Sequence, residues 1–158
     1  MSTDWIEQHR LLHQDSPRNF AGKSLRKWID TINSFAEHHH CETILDYGCG
    51  KAQFWPPEWQ GRVSGYDPAV DQFSAEPLPA DLVICVDVME HIPLNQVTEV
   101  IDRVNSLARR AVFWVVDVKP AKKRFLNGAN CHLTQQPPEW WRDRVAQTRV
   151  PYQINFEA

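Results

Sequence analysis

The residues best suited to chemistry lie in one short run, Ile44-Leu45-Asp46-Tyr47-Gly48-Cys49-Gly50-Lys51-Ala52. It reads as a buried strand that ends in an acid and enters a glycine-rich turn, where the lack of a Cβ lets the backbone approach a ligand closely. A second acid, Asp67, closes the next strand about 20 residues on, the position from which such folds bind ribose hydroxyls. The spacing argues against a dinucleotide: the third glycine of G-x-G-x-x-G is missing, and Asp46 beside the turn repels a pyrophosphate but suits an ammonium group. The expected ligand carries a ribose and a positive charge.

A second constellation begins after another apolar run: Asp81-Leu82-Val83-Ile84-Cys85-Val86-Asp87-Val88-Met89-Glu90-His91-Ile92-Pro93. Both runs resemble class I S-adenosylmethionine-dependent methyltransferases. The first is similar to their L-D-x-G-C-G-x-G motif with Ala52 for the last glycine, Asp67 matches their ribose-binding acid, and the second is similar to their D-x-V-x-x-x-x-V-L-E-H-x-P signature. The motifs cover residues 43–93, and the plan continues to Val118. The resemblance implies a Rossmann-like α/β fold with a mostly parallel sheet and helices on both faces, and S-adenosylmethionine as cofactor. It implies cofactor contacts from Asp46, Gly48, Cys49, Gly50, Asp67, Pro68, Asp87 and Val88. Only Pro68 to Ala80 separate the two motifs, so the third strand of the family is expected to be absent or vestigial. Adenine is left with Val70, Phe73 and Ser74 as guesses for its rim.

His91 has two functional readings beside a scaffolding one. It can take a proton from the acceptor as a general base, its reference pKa lying near physiological pH. Alternatively Asp87-x-x-Glu90-His91, similar to the E-x-x-E-H metal motif of certain O-methyltransferases, can bind a divalent ion that polarises a hydroxyl. The base is preferred, and no metal ligand set is assigned. His132, in Asn130-Cys131-His132-Leu133-Thr134, matches an H-L segment that related enzymes carry beside the acceptor pocket. Lys119, Lys122, Lys123 and Arg124 read as a solvated charged loop, with contact to a phosphorylated or carboxylated substrate as the alternative, and His38-His39-His40 reads as a helix end.

Short β-rich runs at 43–47, 62–66, 82–86 and 111–116 must hold these residues, with a final strand at 150–156. Leu94 to Ala108 carries a helical apolar stripe, and two helices precede Cys41, with Ser24 as the cap of the second. Between them, Ser16 to Lys23 can fold over a ligand. The helix expected after the glycine turn is interrupted by Pro56-Pro57, whose tetrapeptide Pro-Pro-Glu-Trp recurs at Pro137 as a shared helix start. Trp55, Trp59, Trp140 and Trp141 are packing residues that could also stack on a planar substrate.

The chain of 158 residues, with 42% hydrophobic and 23% charged residues, fits one globular domain. Residues 1–40 are assigned to N-terminal helices and lid, 41–118 to the cofactor core and 119–158 to the acceptor side. A net charge of −3 disfavours duplex DNA. No apolar run approaches the roughly 20 residues of a membrane span, and neither a signal peptide nor a C-x-x-C pair is present, which predicts a cytoplasmic protein with reduced thiols. The expected activity is methyl transfer to an oxygen or nitrogen of a small-molecule acceptor. The alternatives are a non-catalytic cofactor-binding subunit of a partner enzyme and an RNA hydroxyl methyltransferase. Homo-oligomerisation or a partner subunit stays open.

Overall fold

A computed structural model describes residues 4–158. Its centre is a five-stranded sheet in the order β2-β1-β3-β4-β5, formed by β1 (Ile44–Tyr47), β2 (Val63–Tyr66), β3 (Ala80–Val86), β4 (Ala108–Asp117) and β5 (Tyr152–Glu157). Every pairing is parallel. The helices are α1 (Asp4–Asp15), α2 (Ile29–His38), α3 (Val97–Leu107) and α4 (Pro138–Val145).

Alternation along the strands divides the core. Leu45, Tyr47, Val83, Cys85, Val112, Trp114 and Val116 face α3 and α4, meeting Val97, Ile101, Val104 and Trp141. Ile44, Leu82, Ile84, Phe113 and Val115 face the other way, against Ile32 and Ala36 of α2 and against Trp59. Parallel strands covered on both faces need continuous apolar runs, and these supply them. Because β2 lies on one side of β1 and β3 on the other, the strand order reverses at β1, and a crevice opens beyond the carboxyl ends of β1 and β3.

No strand lies between β2 and β3; that segment holds one 3-10 turn, Asp71–Phe73. The trimmed sheet therefore agrees with the short sequence interval. Two local expectations are corrected. No α-helix follows the glycine turn: Ala52 has a left-handed φ of 51°, and the prolines allow only a 3-10 turn, Pro57–Trp59. The glycine turn thus lacks the following α-helix whose N-terminus seats a pyrophosphate in dinucleotide folds. Ser24 does not cap α2. It lies inside a separate 3-10 helix, Lys23–Lys27, while Trp28 precedes α2. Of the two Pro-Pro-Glu-Trp copies, only the second opens an α-helix, with proline in its first turn. All four cysteines are free and buried. Among the described residues no helix is long and apolar enough to cross a membrane.

Candidate active site

The crevice is a cavity of about 780 Å3, and each candidate site residue lines it: Asp46, Gly48, Cys49, Gly50, Asp67, Pro68, Asp87, Val88, His91 and His132. Four segments build it. The turn after β1 supplies the glycines, the turn after β2 supplies Asp67, the end of β3 supplies Asp87 to His91, and the loop after β4 supplies His132.

The glycine turn is fixed by its neighbours. Gly48 and Cys49 donate their backbone N–H groups to the Tyr66 carbonyl at 2.6 and 3.1 Å. A Cβ on Gly48 would overlap the Val88 side chain, and one on Gly50 would overlap the Phe20 carbonyl. Both glycines have positive φ, 80° and 55°. Their first duty is thus to let the β3 turn and the N-terminal segment close on the β1 turn, which brings a bare backbone to the cavity wall.

Asp67 orders the adjacent turn, accepting the Gly50 N–H and the Ala69 N–H at 2.9 Å each. Asp46 is buried and accepts the Trp55 indole N–H at 2.8 Å. Burial pushes its carboxyl up to about 7 despite that bond, with Asp67 adding a smaller push. Asp87 is also raised to about 7, chiefly by burial, and receives a hydrogen bond from the Ser24 hydroxyl. Its Oδ1 is buried without a partner. Asp87 further adopts a left-handed φ of 53°, a strained conformation for a non-glycine residue that aims the chain into the cavity. Buried carboxylates with spare acceptor capacity fit a cationic ligand.

At the other end, His91 and His132 stand edge to face with ring centroids 4.8 Å apart. His132 Nδ1 hydrogen-bonds the Lys119 carbonyl. Thr134 braces the loop, its hydroxyl donating to the Ile92 carbonyl at 2.6 Å and its N–H to the Glu90 carbonyl at 3.0 Å. Burial holds His91 well below the ordinary histidine range, and His9 and His132 push in the same direction. Glu90 is fully buried; its Oε1 accepts the Asp117 N–H at 3.2 Å, while Oε2 has no partner.

The N-terminal segment covers the cavity, as Ser16 to Lys23 allowed. Lys51 and Gln53 donate their N–H groups to Phe20 and Ala21 carbonyls, and the Lys51 ammonium reaches the His13, Ser16 and Asn19 carbonyls at 2.7–3.0 Å. Arg10 ties α1 to the far rim through the Pro68 carbonyl at 3.2 Å.

Several lining residues escaped the sequence reading. Trp5 and His9 come from α1, while Tyr66 and Arg103 border Pro68 and Ala69 along the same cavity. His9 and His13 occur four apart on the face of α1 that carries Leu12, and all three are buried. Buried histidines at helix spacing were the available signal. Conversely, Val70, Phe73 and Ser74 do not line the cavity; Phe73 packs against Trp55. Trp55, Trp59, Trp140 and Trp141 also lie outside its lining, so they stack on nothing bound there.

A glycine turn flanked by carboxylates at the sheet's reversal point is what the sequence resemblance calls for, and a family model describing a methyltransferase domain matches residues 12–154. The chain belongs to that methyltransferase-domain family. It is accordingly an S-adenosylmethionine-dependent methyltransferase, and its sheet is a trimmed form of the Rossmann-like fold. No curated protein and no solved structure matches the chain significantly.

The cavity fits the cofactor on the chain's own terms. Asp67 borders a bare turn, Asp87 keeps a buried unpartnered oxygen, and burial pushes the Asp46 carboxyl up to about 7, so an adjacent cation would favour its charged form. The metal reading changes membership: the donor atoms that converge belong to Glu90, His91 and His132, within 4.8 Å of one another, and Asp87 is not in the group. Asp87 is instead engaged by Ser24.

Proposed function

We propose that this methyltransferase acts on an oxygen or nitrogen of a small-molecule acceptor, with His91 and His132 receiving the acceptor's proton. One observation carries the reading: two imidazoles 4.8 Å apart line the same cavity as the glycine turn, Asp67 and Asp87. S-adenosylmethionine supplies a methyl group on an electrophilic sulfonium. Asp67 would hold the ribose, Asp46 and Asp87 the positive end, and the turn from Gly48 to Gly50 the flank where side chains have no room. His132 donates its Nδ1–H to the Lys119 carbonyl, so Nε2 is the atom that would take a proton from the acceptor. The α1 cover excludes water, and the walls orient the acceptor, the larger part of what such a transfer asks of a protein.

A second reading has its own observation. The buried, unpartnered Oε2 of Glu90 beside His91 and His132 is a donor set for a divalent cation, with a carboxylate and two imidazoles as zinc, manganese or iron prefer. Such an ion would supply Lewis acidity toward an acceptor oxygen.

The test is transfer of tritiated methyl from S-adenosylmethionine by the purified protein into a metabolite extract, with and without chelator. Label should enter small molecules, and His91→Phe and His132→Phe should each lose about 100-fold. Label entering RNA instead favours the RNA reading; transfer only after adding a protein fraction favours the subunit reading. Loss on chelation and return with a divalent ion supports the cation.

A further inference from the structure

Charged side chains of both signs line the cavity, and Lys119, Lys122, Lys123 and Arg18 are among them, as are Asp46, Asp67 and Asp87. The lysines are exposed, but the loop that carries them is fixed. Asn130 staples their loop through both amide atoms to Ala121, at 3.0 and 2.9 Å, and the Cys131 N–H reaches the Lys123 carbonyl at 3.2 Å.

Lys123 is the informative member. Its ammonium lies 4.8 Å from the centroid of the Phe20 ring, on the segment that covers the site. From there its charge acts on His13, Lys51 and His91. Among the described residues, the ion pairs engage Arg10, Lys27, Arg103 and Arg110, and none joins a carboxylate to Lys119, Lys122, Lys123 or Arg18. Arg124, by contrast, turns back onto the Gly128 carbonyl and takes no part. Lys119, Lys122, Lys123 and Arg18 are exposed, and with no carboxylate paired to them they make their rim of the cavity positive.

We propose that the acceptor bears a carboxylate or phosphate group, held by Lys123 with Lys119, Lys122 and Arg18, beside the two histidines. The proposal rests on the methyltransferase reading of the cavity for its acceptor, but its anion site is testable alone.

Chelator-treated protein saturated with S-adenosylhomocysteine is titrated with inorganic phosphate, and in parallel with benzoate, at constant ionic strength in chloride. Amide and imidazole NMR signals report the site. The expected result is saturable shifts at Phe20, Lys123, Cys131 and His132, with affinity reduced about tenfold in Lys123→Met. The tighter anion then names the acceptor class. Shifts that do not saturate, that lie elsewhere, or that persist unchanged in Lys123→Met overturn the proposal. Failure of S-adenosylhomocysteine to bind contradicts the methyltransferase reading instead, and titration without it still decides the anion site.

Discussion

His9 Nε2 of the N-terminal helix lies 3.3 Å from His91 Nδ1, while His9 Nδ1 reaches the Trp5 carbonyl at 2.8 Å. A neutral His9 must donate to that carbonyl, so its Nε2 faces His91 as an acceptor. Burial is the leading cause of the lowered His91 pKa, with His9 second. In histidine NMR titrations His91 should therefore change charge wholly below the ordinary histidine range, and should stay low in His9→Leu. A return to the ordinary range in that variant would make neighbouring charge, not burial, the cause.

Asp46 predicts a pH dependence of stability for the cofactor-free protein. Its folded pKa of about 7 exceeds the unfolded value of 3.8, so the folded state binds the extra proton between them. Stability from this group falls as pH rises from about 4 to 7 and is flat above. Buried histidines act oppositely: His13, lowered to about 4, costs stability as pH falls below 6.5. The Asp46 share is read by difference. Asp46→Asn keeps an acceptor for Trp55 and should stabilise the empty protein at pH 8, by at most about 4 kcal/mol. Chemical denaturation of both proteins at pH 5 and pH 8 checks it; an equal difference at both pH values refutes it.

Gly48 and Val88 form a steric pair. Gly48→Ala places a methyl into Val88 and imposes a left-handed φ on alanine, which should cost about 2–4 kcal/mol. Adding Val88→Ala should recover the overlap part, leaving about 1 kcal/mol of backbone strain. Denaturant midpoints of the four proteins form the cycle, and additive losses would show that the two do not meet.

Lys51 lies in the glycine turn, and three carbonyls from His13 to Asn19 receive its ammonium. Lys51→Met should leave the sheet intact and loosen the cover by about 2–3 kcal/mol. Hydrogen exchange should quicken over 9–21 and remain slow in β1, β3 and β4. Exchange quickening throughout would make Lys51 a general stabiliser instead.

What was legible in the sequence follows from local chemistry. Asp46, Gly48, Gly50, Asp67 and Asp87 sit at or just beyond strand ends, where the β-rich runs stop and side-chain type signals purpose. The strands themselves were readable because both faces are buried. The contributions of Trp5, His9 and Arg103 depend on which helix face meets the sheet ends, a tertiary fact. Ser24 failed as a cap because its hydroxyl serves Asp87, and the helix after Gly50 failed because Ala52 turns left-handed. Lys123 is exposed, as a charged loop predicts, and its place over the Phe20 ring is a tertiary fact.

The central claim is that this cavity binds S-adenosylmethionine through Asp67 and the glycine turn. Isothermal titration of S-adenosylmethionine into wild type and Asp67→Ala tests it most directly, with NAD as the control ligand. The account predicts one site, no response to NAD, and affinity about 100-fold weaker in the variant, since it loses both the ribose acceptor and the carboxylate that orders Gly50 and Ala69. Tight NAD binding with no response to S-adenosylmethionine, or equal affinity in Asp67→Ala, would contradict it.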